Sequence, residues 1–227
     1  VGSLLRPDWL LKARQDLDAE KLSPEAFNTL ENRSVDEAIA LQEAAGLDVI
    51  TDGEMRRTSF QSQMTEAVDG FGEHSLDAFL WGDWQGDQGV GDYSLERPDG
   101  LGAVGKLTRR RSLSTGEFIY LRSKTGRIPK ITLPSPSLWA NFWSPEHTKT
   151  AYPTLDAFLA DVADILRREV AELVRLGATY IQLDAPHYTA LISPRTRAFY
   201  ESRGWTADRF LDIGIELDNA VINSFPG

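Results

Sequence analysis

The stretch Gly46-Leu47-Asp48-Val49-Ile50-Thr51-Asp52-Gly53-Glu54 carries the reading of the fold. Gly46 stops a helix, Leu47 to Thr51 is a short apolar strand, and Asp52-Gly53-Glu54 is a glycine turn with a carboxylate on each side. The helix leading into it covers 24–45. Ser23 or Ser34 can cap it, Glu37 lies three residues after Ser34 as in a capping box, and Val35, Ala38, Ile39, Leu41, Gln42 and Ala45 form its stripe. Helix, glycine, short strand and polar turn make one α/β unit.

The same order recurs downstream. A short helix over 114–125 places Phe118, Leu121 and Arg122 on one side, and a strand over 129–133 runs into the rigid turn Pro134-Ser135-Pro136-Ser137. The helix over 155–176 repeats Leu155, Phe158, Leu159, Val162, Ile165, Leu166, Val170, Leu173 and Val174 at helical spacing, and Gly177 ends it. The strand Tyr180-Ile181-Gln182-Leu183 then delivers Asp184-Ala185-Pro186-His187, and a last helix covers 206–222. Val1-Gly2-Ser3 reads as the end of a strand whose earlier residues are missing. Four short strands alternating with helices predict parallel β/α units in an α/β fold, and a doubly wound sheet and a β/α barrel both fit. In either, the chemistry belongs at the carboxyl ends of the strands, where Ser3, Glu54, Ser135 and Asp184 are expected to converge.

Residues 70–105 differ: glycines, acids, Phe71, Phe79, Trp81, Trp84 and Tyr93 interleave with no sustained period. They read as a long loop over the strand tips, with Trp81 and Trp84 at the pocket mouth or a subunit contact. The basic cluster 106–111 reads as a solvated turn.

The chain has 24 Lys plus Arg against 34 Asp plus Glu, a formal net charge of −10, which argues against attraction to nucleic acid or an anionic membrane surface. No apolar run approaches the ~20 residues that cross a bilayer, and the first residues lack a signal-peptide pattern, so the cytoplasm is the expected location. Among 227 residues there is no Cys, so this chain alone offers no disulfide, thiolate nucleophile or cysteine metal ligand. Its three His would need carboxylates to complete a metal site.

Asp52, Glu54 and Asp184 are each either a helix cap or a ligand group; carboxylates aimed into one cavity suit an ammonium ligand or acid–base work. His187 is either a proton shuttle or a loop histidine. Trp139 and Trp143 either stack on a planar ligand such as a pterin or pack in the core. The glycines at 100, 102 and 105 do not form a dinucleotide fingerprint, and no P-loop or nucleophile elbow is present.

Taken together, Val1-Gly2-Ser3-Leu4-Leu5-Arg6-Pro7, Gly46 to Glu54, Ile131-Thr132-Leu133-Pro134-Ser135-Pro136-Ser137 and Tyr180-Ile181-Gln182-Leu183-Asp184-Ala185-Pro186 resemble cobalamin-independent methionine synthase, in particular the single-barrel relatives of its C-terminal catalytic domain. The resemblance implies a (β/α)8 barrel of the TIM type. About its first four β/α units would be present here as one partial domain over 1–227, with an insertion at about 70–112 and the remainder of the barrel expected beyond 227. It implies a methyltransferase that moves a methyl group from methyltetrahydrofolate to the thiol of homocysteine, giving methionine, with zinc holding the thiolate. Carried over residue by residue, Gly2 and Ser3 grip the amino acid's carboxylate, Glu54 and Asp184 take its ammonium group, Trp139 or Trp143 stacks the folate, and His187 is the candidate proton donor. The family's zinc ligands, a His-x-Cys pair, a glutamate and a distal cysteine, have no counterpart in this chain. Small-molecule substrates are the implied partners, and a homo-oligomer is left open. Two alternatives stand beside this: zinc-dependent alkyl transfer to another thiol of the coenzyme M type, and an inactive barrel that serves as a binding protein.

Overall fold

The computed structural model describes residues 2–59, 61–73 and 101–223. They form an α/β structure with two sheets, one of three strands and one of two. The chain divides into two compact units. The first takes residues up to Met64, Ser112–Leu133 and Ala171–Gln182; the second takes Thr65–Arg111, Pro134–Val170 and the residues from Leu183 on.

In the first unit, α1 (Asp8–Asp18) and α2 (Pro24–Ala44) pack together and lead into β1 (Val49–Ile50). Ser23 caps α2, its side chain accepting from the Ala26 amide, and Pro24 sits at the first helical position, where its missing N–H goes unneeded. Ser34, the alternative cap, lies inside the helix, buried, and donates to the Glu31 carbonyl. The buried stripe Val35, Ala38 and Ile39 joins Leu10, Ala13, Phe27, Ile50, Met55 and Leu121 in one apolar cluster. Leu41 falls outside that stripe and is exposed.

Gln42 is polar yet buried because it continues the strand ladder. Its amide donates to the Thr51 carbonyl at 2.8 Å and its oxygen accepts from the Thr51 amide at 2.9 Å, so helix α2 holds the residue that leaves β1. β1 pairs in parallel with β4 (Ile128–Pro134), Val49 opposite Ile128, and β4 stands between β1 and β5 (Tyr180–Asp184). Helix α4 (Thr115–Lys124) buries Phe118 and Leu121. Between strands, the predicted limits of the main helices and strands hold to within about one to three residues. At the start of the chain no strand is present over 2–7; Val1 lies outside the described residues.

The second unit contains a hairpin that the absence of periodicity concealed. β2 (Val68–Glu73) pairs antiparallel with β3 (Leu101–Arg109), with an irregularity between Asp69 and Phe71. Gly70 makes it possible: at φ +106° it adopts a backbone that side chains avoid, and a Cβ there would lie 2.7 Å from the Lys106 carbonyl oxygen. Residues 70–73 and 101–105 are therefore strand where a loop was expected; glycines and the register shift erase the period of two. Trp81 and Trp84 lie outside the described residues. Residues 106–109 of the basic run belong to strand β3 and not to a solvated turn, and the run is ion-paired: Arg109 meets the fully buried Glu169 at 2.6 Å, and Arg110 meets Asp69 at 2.8 Å.

Helix α5 (Leu155–Arg175) supplies Phe158, Leu159, Val162 and Leu166 to the core, and Tyr152 meets Phe158 edge-on at 5.3 Å. Beyond β5 come α6 (His187–Ala190), α7 (Pro194–Glu201) and α8 (Ala207–Ile222), where Tyr200, Trp205 and Phe210 pack ring to ring. Phe158→Ala should lower unfolding stability by about 3–5 kcal/mol, as expected for an emptied aromatic site. Ile215→Ala, at a half-exposed position of α8, should change it by less than about 1 kcal/mol; urea unfolding of the two variants checks the contrast, and equal losses would contradict the core described here.

Candidate functional site

In the first unit, the residues after β1 build a buried polar cluster. Thr51 Oγ1 donates to the Gly2 carbonyl at 2.6 Å and accepts from the Gly53 amide at 3.1 Å, while Asp52 Oδ1 accepts from the Glu54 amide at 2.9 Å. Glu54 sits at φ +55°, a left-handed conformation uncommon for a residue with a side chain, next to Gly53 at φ +71°. Arg6 holds the turn from the other side by donating to the Glu54 carbonyl at 3.0 Å and to the Arg57 carbonyl at 2.7 Å. The sequence supports this locally: an Asx turn, a glycine able to take positive φ, and a threonine whose hydroxyl serves two backbone groups.

The Glu54 carboxylate is 3% exposed and Asp52 is 2% exposed. Glu54 Oε1 accepts from Thr132 Oγ1 at 2.7 Å and lies 3.5 Å from Arg57 Nη1. Arg57, 3% exposed, donates to Thr132 Oγ1 at 3.1 Å and to the Thr132 carbonyl at 3.0 Å. Its remaining edge faces Glu117 of α4, with Nη2 to Oε2 at 2.8 Å and Nε to both oxygens at 3.3 Å, and Gln63 of α3 (Ser62–Ala67) donates to the same Oε2 at 2.9 Å. Asp52 Oδ2 is buried and has no hydrogen-bond partner among the described residues. A Cβ on Gly2 would lie 2.8 Å from Glu54 Oε1 and 2.9 Å from the Thr132 methyl, so only glycine lets the backbone approach this carboxylate. Ser3 is exposed, and the Leu4 amide donates to the Gly53 carbonyl.

Burial works against the charge on Arg57, but Glu117, Glu54 and Asp52 outweigh it and raise its pKa. Burial pushes the Glu117 carboxyl up to about 7, with the Asp52 and Glu54 charges adding to the rise and Arg57 opposing it. Three carboxylates thus share the cluster with two guanidiniums, Arg57 and the partly buried Arg6. With all three ionised, the carboxylates outnumber these guanidiniums by one charge.

The second unit holds Asp184, His187, Trp139 and Trp143. The Asp184 carbonyl accepts from the Ser135 amide at 2.9 Å, and its side chain is half-buried. His187 is buried, with Nε2 2.8 Å from Ser137 Oγ; Ser137 donates to the Tyr188 hydroxyl at 3.1 Å, which donates to Asp218 Oδ2 at 2.8 Å, and Ser135 donates to Asp218 Oδ1 at 2.7 Å. A neutral ring protonated on Nε2 makes every bond of this chain run toward the Asp218 carboxylate. Burial pushes the His187 imidazole down to about 4 and the Tyr188 hydroxyl up to about 12, so at neutral pH both are uncharged. Trp139, on the 3-10 helix Pro136–Phe142, is fully buried, its ring 4.6 Å from that of Phe142 and 5.6 Å from that of Phe71. Trp143 is buried too and donates to the Tyr152 carbonyl at 3.0 Å.

Gly2 and Glu54 are therefore brought together, while Asp184, His187, Trp139 and Trp143 belong to the other unit. Arg57, Glu117, Gln63, Thr132, Tyr188 and Asp218 escaped the sequence reading. Arg57 carried a signal, being three residues beyond Glu54, and Glu117 carried a second, being on the same helical face as Phe118 and Leu121. Zinc does not fit the residues present: the 227 residues include no Cys, and among the described residues no three His, Cys, Asp or Glu side chains are grouped to hold a metal ion.

Glu117 gives the site a pH signature. Its folded pKa of about 7 lies above the ordinary 4.5, so between those values the folded state binds more protons than the unfolded chain, and this contribution to stability is lost as pH rises through 7. Glu117→Gln should gain stability relative to wild type between pH 5 and pH 8, read as urea midpoints. A difference between the two proteins that stays the same across this range would mean that Glu117 is held ionised at both pH values.

Residues 1–80 match the family model described as the catalytic domain of cobalamin-independent synthase. The chain is 29% identical to methionine synthase of Pyrococcus abyssi over 82% of its length and 50% of that protein's. It is 26% identical to the uncharacterised YxjH of Bacillus subtilis over 90% of its length and 52% of that protein's. The chain thus spans about half the length of these curated relatives. Its fold is like that of a B12-independent methionine synthase from Shewanella sp. W3-18-1 solved in complex with selenomethionine, with a TM-score of 0.68 and 23% identity over 99% of this chain and 57% of that one. The segment that the family model covers holds the whole turn from Thr51 to Arg57 together with Gly2, so the turn that carries Glu54 lies within the stretch that is similar to that catalytic domain.

Proposed function

We propose that this chain carries the amino-acid-binding part of a cytoplasmic methyltransferase that moves a methyl group from methyltetrahydrofolate to the thiol of homocysteine, giving methionine. The observation that supports it most is Glu54: a buried carboxylate in a left-handed turn, packed against the backbone of Gly2, inside a cluster where acidic groups outnumber guanidiniums. An α-amino acid supplies a positive charge as its ammonium group. In the proposal, Gly2 and Ser3 receive the carboxylate through backbone amides and Glu54 receives the ammonium group. The selenomethionine bound by the Shewanella relative has the same amino-acid end.

Holding the amino acid by both ends of its main chain fixes where its sulfur points, which supplies a large share of the barrier in a two-substrate reaction. The family's zinc, when bound, lowers the pKa of the thiol; with no Cys, the residues of this chain do not fit that site. The methyl carbon leaves a folate nitrogen that must gain a proton as the bond breaks. With its ring neutral at pH 7, His187 enters the proposal as a member of the Ser137–Tyr188–Asp218 chain and not as a resting imidazolium that hands over a proton. Stacking of the donor on Trp139 requires Phe71 or Phe142 to swing off its ring. The three-stranded sheet is taken as part of a β/α barrel that forms a single partial domain, and the β2–β3 hairpin as the arms of an insertion at about 70–112.

Glu54→Gln removes a charge-assisted hydrogen bond worth roughly 1.5–3 kcal/mol, so L-methionine should bind about ten-fold or more weakly by calorimetry. Unchanged affinity would overturn the proposal.

A further inference from the structure

Glu117 takes no part in the proposed contacts with the amino acid, yet it is one of three acidic residues buried around Arg57. Its carboxylate lies along the Nε–Nη2 edge of the guanidinium, with Nη2 to Oε2 at 2.8 Å, and Gln63 donates to the same oxygen at 2.9 Å. Nη1 of the guanidinium meets Thr132 Oγ1, which donates its own proton to Glu54 Oε1 at 2.7 Å. Glu117, Arg57, Thr132 and Glu54 thus form one continuous chain of contacts from helix α4 to the turn after β1. An Arg57 with no acid behind it would direct its whole charge at Glu54 and weaken that carboxylate's hold on a cation. Glu117 takes up part of that charge.

We propose that Glu117 is a positioning residue for Glu54, acting through Arg57: it holds the guanidinium in place and sets how much negative charge the turn presents to a ligand's ammonium group. The inference rests on the reading of Glu54 as the ammonium acceptor. The charged groups facing Glu117 are Arg57, Glu54 and Asp52 from the turn, with the neutral Gln63 from α3. Arg6 adds its charge to Glu54 from the first segment of the chain. When Glu117 is ionised, the three carboxylates leave a net negative charge beside Arg57 and Arg6, and an ammonium group is drawn in. When Glu117 carries a proton, that pull is gone and the affinity is lower.

The test is L-methionine binding by calorimetry at pH 5.5 and pH 8.5 for wild type, Glu117→Gln and Glu54→Gln. Wild type should bind about ten-fold more tightly at pH 8.5 than at pH 5.5. Glu117→Gln keeps an acceptor for Arg57 and should match wild type at pH 5.5 while losing the gain at pH 8.5. A uniform loss at both pH values, or a profile that follows wild type, would overturn the role given to Glu117. Should the variant fail to fold, the wild type alone decides. Binding near pH 7 in buffers of different ionisation enthalpy should release protons, and no proton exchange would overturn it. Failure of the underlying reading looks different, because Glu54→Gln would then bind as wild type does.

Discussion

A guanidinium buried beneath the strand ends organises the first unit. Arg57 has given up nearly all contact with water, and leaving such a charge unpaired would cost about 3–5 kcal/mol. Its nitrogens are met by Glu117, Thr132 and Glu54, residues that come from a helix, a strand and a turn far apart in sequence. The guanidinium can be satisfied only if all three elements are in place. Helix α4, strand β4 and the turn after β1 are therefore fixed by one group's need for partners, and the position of Glu54 follows from it.

The turn is fixed a second time by its backbone. Gln42 extends the ladder of β1 by two hydrogen bonds, Asp52 and Thr51 hold the next amides, and Arg6 ties down the carbonyls of Glu54 and Arg57. This many partners can hold Glu54 in a left-handed conformation that an isolated peptide would leave. Strain of this kind persists where the surroundings over-determine it, and here it sets a carboxylate against the backbone of Gly2. An orphaned acceptor, Asp52 Oδ2, sits in the same cluster. The buried setting makes each charge in the cluster count for more than it would in water.

Much of this was legible in the chain because periodicity and glycine punctuation report directly on burial. The stripes of α2 and α5 and the stops at Gly46 and Gly177 mark the elements, and the acids after the strands mark the turns. The hairpin of β2 and β3 was not legible, since Gly70 introduces a bulge and resets the alternation that a strand would show. Helix α1 was missed because Trp9, Leu10, Ala13 and Leu17 make a thin stripe among charges. Glu117 was missed for a more general reason. A charged residue on the apolar face of a helix looks like an error in the pattern, and only its partner, Arg57, sixty positions away, explains it. Trp139 was weighed as either a platform or a core residue, and only its neighbours Phe71 and Phe142 distinguish the two arrangements.

The most direct measurement is a crystal structure of the protein with L-methionine bound. The account predicts the ammonium nitrogen within hydrogen-bond distance of a Glu54 carboxylate oxygen, with Glu54 still in its left-handed conformation and Arg57 still between Thr132 and Glu117. An amino acid bound with its ammonium group away from Glu54, or an Arg57 that turns from Glu117 to the ligand, would contradict it.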